Sequence, residues 1–244
     1  MSIEEIKKII LKKAYIKIFL SILIIFILGI YFKTFFTIGV YFNDTFLKKE
    51  VISSDNHYRD EDIYGDIHIT VKQNNDESVQ VLYRLPNNIN EEYTVNFKEA
   101  SNGESEVDSI EDEEGEIIFE GKYIKGSSIL LDKNGEPILD GIFRISFPGQ
   151  NPYENNYKIS LLNIVKFATF EKDRIRGKVE LLIFAVFILI IWLIDIKFPL
   201  FFFKLRNFLE VKDPEPSEFY IMIQRISWFV YPAIALVLLI VAIS

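Results

Sequence analysis

The chain contains no cysteine, which excludes disulfides, thiolate metal sites and cysteine nucleophiles together. Histidine is almost as scarce: His57 and His68 are the only two, so a three-histidine metal centre cannot be assembled within one chain. No Walker loop, nucleophile elbow or HExxH helix occurs. An acid–base hydrolase needs two carboxylates held across a cleft with one of them buried, and here nearly all the acids fall in polar loops. No catalytic residue, cofactor or metal ligand is therefore assigned, and a non-enzymatic protein is the expected class. There is no internal repeat.

What the chain has in quantity is apolar surface: 50% of its residues are hydrophobic and 22 are Phe, beside 25% that are charged. The two populations are segregated along the chain. Residues 18–42 are apolar apart from Lys33, a run of about 25 residues where a bilayer needs about 20. A basic start followed by an apolar core also describes a secretory signal, but no small-x-small cleavage site follows, so this run reads as an uncleaved anchor. A second span is expected over 177–197 and a third over 225–243.

Charge sets the expected orientation. Lys7, Lys8, Lys12, Lys13 and Lys17 precede the first span, and Lys204, Arg206, Lys212 and Arg225 lie between the second and third. By the positive-inside rule both clusters face the cytoplasm, leaving 43–171 external and the C-terminus outside a multi-pass cell-membrane protein. Lys172, Arg174, Arg176 and Lys178 oppose this, forming a basic patch on the expected outer side. They do not reverse it, because long domains translocate largely regardless of charge.

Between Asp44 and Glu171 about 26 acidic residues face about 12 basic ones, roughly −14, more than the whole chain's −8. Nucleic acid is disfavoured as a partner of such a domain. The pattern within it has period two. Ile67, Ile69 and Val71 alternate, then Val79, Val81 and Tyr83, then Tyr93, Val95 and Phe97. The later stretches "GEIIFEGKYI", "SILLDKNGEPILDGIFRISF" and "YKISLLNIV" also read as strands, with a turn at Asn134-Gly135. About seven strands suffice for one antiparallel sandwich-like domain or open barrel. The fold class expected is α+β: three transmembrane helices with this β domain inserted between the first two.

The acidic tract 101–116 shows neither period and reads as a solvated loop; its carboxylates do not follow the spacing of an EF-hand calcium loop. His68, between Ile67 and Ile69, belongs on the outward face of a strand, and His57 lies in a polar linker. Both are expected to be exposed and non-ligating.

Asp195 lies within the second span but near its cytoplasmic edge, about 3 Å inside the boundary. Arg225 stands at the same expected boundary and is the candidate partner for an ion pair between the second and third spans; each side chain snorkelling separately to water is the competing reading. Pro199 ends or bends the second helix, and 198–224 is a cytoplasmic linker with a short interfacial helix whose Phe201, Leu205 and Phe208 share a face. Pro216, Ser217 and Tyr220 mark the entry to the next helix, with Ser217 as its cap. Pro232 invites a kink in the third span.

The run "FPLFFFKLRNFLEVKDPEPSEFYIMIQRIS" resembles an uncharacterised bacterial two-helix membrane domain family, through Pro199, Phe202, Phe208, Pro216, Ser217, Tyr220 and Arg225. That family usually has tryptophan where Phe202 stands and glycine where Ser227 stands. The resemblance covers the C-terminal third and implies no activity.

The function expected is a membrane protein whose external β-rich domain binds or shields a cell-surface partner, as an accessory subunit of a membrane complex or an envelope-protection protein. A membrane-anchored enzyme with an external carboxylate and histidine metal site, and a channel or transporter subunit, are the alternatives.

Overall fold

The structure is a computed structural model that describes residues 3–75, 77–99, 105–123, 126–127, 129–138, 151–153, 157–207 and 215–244. It divides into two compact units, 1–36 with 176–244, and 37–175. Expectations for 101–104, for the late strand over 139–147 and for Phe208, Lys212 and Pro214 fall outside the described residues.

The first unit is helical. It contains α1 (Ile3–Phe35), α3 (Val179–Lys197), α4 (Phe201–Asn207) and α5 (Glu218–Val241). Tyr15–Phe35, Val179–Lys197 and Glu218–Val241 are long and apolar enough to cross a membrane, which marks a multi-pass membrane protein. α1 stops at Phe35, and the rest of the apolar run expected in the first span is a strand, β1 (Ile38–Phe42). β-branched and aromatic residues at the end of that run, followed by an Asn43-Asp44 turn with positive φ at both positions, favour a hairpin over continued helix.

The second unit is an antiparallel meander. After β1 come β2 (Thr45–Ile52), β3 (Asp55–Asp62), β4 (Gly65–Asn75), β5 (Ser78–Leu85), β6 (Ile89–Glu99), β7 (Ser105–Glu111), β8 (Ile117–Tyr123), β9 (Leu130–Asp132), β10 (Pro137–Ile138) and, after a helix, β11 (Arg174–Ile175). Consecutive strands are neighbours from β10 back to β1, and β11 pairs with β1, so among the described residues eleven strands make one sheet, where a sandwich-like domain or open barrel was expected. The turn at Asn134-Gly135 folds as the sequence indicated, setting Leu130 opposite Ile138.

An antiparallel sheet with one apolar face needs a cover. α2 (Leu161–Ala168) supplies it, in the stretch read from sequence as a strand. Ser160 caps the helix by accepting from the Asn163 backbone N–H, and Leu161, Ile164, Val165 and Ala168 recur at helical spacing. Phe167 sets its ring against Tyr58, Tyr83 and Phe42, with centroids 5.4, 5.8 and 6.3 Å away. Ile67, Ile69, Val71, Val81 and Val95, all fully or almost fully buried, join α2 in one apolar cluster.

β7 lies in the tract expected to be a loop. Val107 and Ile110 are both buried although three residues apart, because Val95 pairs with Ile110 while Phe97 pairs with Val107, leaving Asp108 as the extra residue of a bulge. The bulge breaks the period-two pattern.

The segment after α2 returns to the sheet through charged groups. Asp173 pairs with Lys49 and accepts from the Tyr58 hydroxyl at 2.6 Å. Lys172 Nζ donates to Asn163 Oδ1 at 2.5 Å and lies 4.8 Å from the centre of the Phe167 ring. Burial pushes its ammonium down to about 8, with repulsion from Lys166 and Arg174 adding to the effect. An unfolded lysine holds its proton to about 10.4, so between about pH 8 and that value the unfolded state binds more protons and stability rises with pH. Lys172→Met should abolish that rise. Thermal melting of the full chain in detergent, followed by β-sheet circular dichroism at pH 7, 8.5 and 10, should show the variant's advantage shrinking as pH increases; a pH-independent difference would refute a strained charge.

Candidate functional site

In hydrocarbon every backbone polar group must find a partner within the protein. Pro232, inside α5, carries no N–H and cannot donate to the carbonyl four residues back, which is that of Trp228. That oxygen is satisfied from α3: Trp192 Nε1 donates to it at 2.8 Å. Trp228 passes the link on, because its own Nε1 donates to Asp195 Oδ2 at 2.7 Å. Gln224, one turn earlier on the same face of α5, donates through Nε2 to Asp195 Oδ1 at 2.8 Å. Asp195 is 5% exposed and Gln224 8%.

Neutral donors therefore hold Asp195, and the Arg225 guanidinium expected to pair with it does not. Helical geometry gives the reason. Gln224 and Trp228 are four residues apart and share a face, whereas Arg225 is rotated by about 100° from Gln224 and is exposed. Arg225 lies instead with Glu218, Met222 and Phe229 on a different side of α5. The signal that would have found the right partners is the heptad-like row Gln224, Trp228 and Ala235, opposite Ala185, Trp192 and Asp195. Ala185 and Ala235 are fully or nearly fully buried, small residues that let the two helices approach.

The helix-entry residues are where the sequence placed them. Ser217 Oγ accepts from the Tyr220 backbone N–H at 3.2 Å and caps α5, just after Pro216. The Tyr220 ring meets that of Phe203 from α4 at 4.9 Å, which ties the short helix to the start of α5.

At the other end of the unit, three helix termini are joined. Gly177 N–H donates to the Phe35 carbonyl at 2.9 Å, and Lys178 N–H to the Ala242 carbonyl at 2.8 Å. Tyr31 hydroxyl donates to the Leu239 carbonyl at 3.1 Å, and Arg176 Nε to the Ile243 carbonyl at 3.1 Å. Orphan carbonyls at helix C-termini are thereby capped, and Arg176 places a cation where the helix dipole is negative. A Cβ on Gly177 would stand 2.3 Å from the Phe35 ring, so the junction requires glycine. Arg176, one of the basic residues that opposed the expected orientation, is thus a capping group.

The two histidines are adjacent in space. Thr70 sits opposite His57, and His68 opposite Arg59, in the β3–β4 ladder, so both rings share the outward face. His57 Nδ1 lies 3.0 Å from His68 Nε2, and Thr70 Oγ1 lies 3.2 and 3.0 Å from them. Burial, aided by the Arg59 charge, pushes the His68 imidazole down to about 4. Among the described residues no group of three or more His, Cys, Asp and Glu is placed to hold a metal ion.

Residues 183–242 match a family of unknown function (DUF6199). The match spans about a quarter of the chain and takes in most of α3 with all of α4 and α5, in agreement with the resemblance to an uncharacterised family seen in the C-terminal region. The full Asp195, Gln224, Trp192, Trp228 and Pro232 constellation lies within it. No curated protein and no solved structure matches the chain.

Both oxygens of Asp195 accept bonds from α5, so the constellation locks two helices in register. Removing one partner of a buried hydrogen bond costs about 1–3 kcal/mol, while apolar replacement of both is far milder. Trp192→Phe is expected to lower the melting temperature of the full chain in detergent, and to do so less than half as strongly in a Pro232→Ala background, where α5 regains its own N–H. Equal losses in the two backgrounds would remove the link between proline and indole. Likewise Asp195→Leu should be destabilising and partly rescued by Gln224→Leu, whereas exchanging the charges of Asp195 and Arg225 should bring no rescue.

Proposed function

We infer that the protein is a non-enzymatic multi-pass membrane protein whose acidic β-rich unit faces the cell exterior and binds or shields a partner at the cell surface. The observation that carries this reading is the joining of the C-terminal ends of α1 and α5 to the N-terminal end of α3 through Gly177, Lys178 and Arg176. Spans tied in this way alternate in direction, so one choice of side orients all three. Lys17 of α1, Lys204 and Arg206 of α4 and Arg225 of α5 lie towards the opposite ends, and their charge assigns those ends to the cytoplasm. The β unit is inserted in the chain between α1 and α3, which supports an exterior position for it.

From Tyr15 to Thr34 no residue of α1 is buried within the chain, and Phe35 at its end is. A helix left largely uncovered by its own protein suits lipid or the helices of another membrane protein, which favours an accessory subunit of a larger complex over a self-contained transporter. An excess of carboxylates on the β unit suits a basic or cationic surface partner and disfavours nucleic acid.

The test uses the absence of native cysteine. Single cysteines at Ser53, in the β2–β3 turn, at Glu215, before α5, and at Ser244 are probed with a membrane-impermeant maleimide. Ser53→Cys and Ser244→Cys should label in intact cells, and Glu215→Cys only after permeabilisation. The reverse pattern would put the β unit in the cytoplasm and end the surface-partner reading.

A further inference from the structure

We propose that His57 and His68 form a binding site for a borderline divalent transition metal, Cu2+ or Zn2+, on the outward face of the β3–β4 ladder, with Thr70 as a weak third ligand. The inference concerns the sheet face alone and does not depend on which side of the membrane it faces.

The argument starts from hydrogen-bond capacity. A neutral imidazole nitrogen without a proton offers one lone pair, and a protonated one offers one donor. His68 Nε2 is approached by Arg59 Nε at 3.1 Å, Thr70 Oγ1 at 3.0 Å and His57 Nδ1 at 3.0 Å, three neighbours for one position. His57 Nδ1 is approached in turn by Thr70 Oγ1 at 3.2 Å and Arg59 Nη2 at 3.4 Å. Arg59 Nε–H and the Thr70 hydroxyl can each serve one of these nitrogens, but with both ring protons on the far nitrogens the two lone pairs converge at 3.0 Å. A metal ion accepts both lone pairs at once while each ring keeps its proton on the other nitrogen.

The spacing fits. Ligand nitrogens about 2.0–2.1 Å from a metal are separated by about 2.9 Å when they subtend a right angle and about 3.3 Å in a tetrahedron. The three donor atoms here are 3.0, 3.0 and 3.2 Å apart, within that range. The rings are held by a regular cross-strand register, with Thr70, 7% exposed, beneath them. Access is open, since His68 also borders a surface depression of about 470 Å³ lined with it by Arg59 and Asp66, which admits water to the remaining positions.

Arg59 is the gate. Its guanidinium now donates to His68 Nε2, so a metal ion must displace it, and Arg59 is an exposed side chain free to turn outward. Removing its charge should therefore tighten binding, the opposite of what a supporting structural residue would do. Nearby Lys48 is held by Glu50 at 2.8 Å and does not compete for the ring nitrogens.

The scarcity of histidine makes the experiment clean, because any imidazole seen by a bound metal must be one of these two in each chain. The full chain, produced without a histidine tag and reconstituted in nanodiscs, is given one equivalent of Cu2+, and imidazole nitrogens are counted by pulsed electron paramagnetic resonance. Two coupled imidazoles are expected, falling to one in His57→Gln and in His68→Gln and to none in the double variant, with Zn2+ displacing the signal. Arg59→Gln, which keeps both ligands, is expected to tighten Cu2+ binding several-fold in competition titration. A count of one or none in the unaltered chain, a signal that survives the double variant, or weaker binding in Arg59→Gln overturns the proposal.

Discussion

A carbonyl that its own helix cannot satisfy organises the helical unit. Pro232 frees the Trp228 oxygen in a medium without water, where an unpaired polar group costs several kcal/mol, and the only helices that can pack there are those bringing a donor to it. Trp192 brings one. Because Trp228 then turns its indole N–H to Asp195, the same residue is acceptor through its backbone and donor through its side chain, and the two bonds together set rotation and height between α3 and α5. Asp195 in the last turn of an apolar helix follows from this arrangement: it offers acceptors to the two donors, Gln224 and Trp228, that the opposing face presents.

The β unit solves a different problem. A long meander buries one face, and among the described residues no second sheet covers it. α2 fills that role with eight residues, placing the Phe167 ring among Tyr58, Tyr83 and Phe42. Burying an aromatic side chain of this size contributes about 1.5–3 kcal/mol, more than any exposed ion pair on the sheet's outer face can supply. Asp173 and Lys172 then carry the chain out of the core through one ion pair and one buried amine, and β11 adds a last pair of residues beside β1.

Three spans, an α+β composition and the alternation of Ile67, Ile69 and Val71 were legible because each is a property of a continuous run. The Ser217 cap and the turn at Asn134-Gly135 were legible because each is local chemistry. What escaped the sequence is what depends on distance. β7 was hidden by one bulged residue, Asp108, which shifts the buried positions from two apart to three. α2 was hidden because Leu161, Ile164 and Val165 satisfy either period over so short a stretch, and only the Ser160 cap separates them. Arg225 is the partner that opposite charge suggests for Asp195 in the sequence, whereas helical phase decides contact and brings Gln224. The His57 to His68 approach needed the register of the β3–β4 hairpin, which sets Arg59 opposite His68 and so brings the two rings to one point.

The two polar constellations differ in a way that bears on where function resides. At Asp195 each oxygen accepts one N–H, from Gln224 and from Trp228, and the carbonyl that the proline leaves has its indole, all between two packed helices. Such a set stabilises one arrangement of helices. On the sheet two imidazoles, a hydroxyl and a guanidinium converge at a surface open to water, and the ring nitrogens of His57 and His68 stand 3.0 Å apart. Ring nitrogens held so close at an accessible surface make a position that a cation can enter, whereas the carboxylate between the helices is already engaged from two sides and buried.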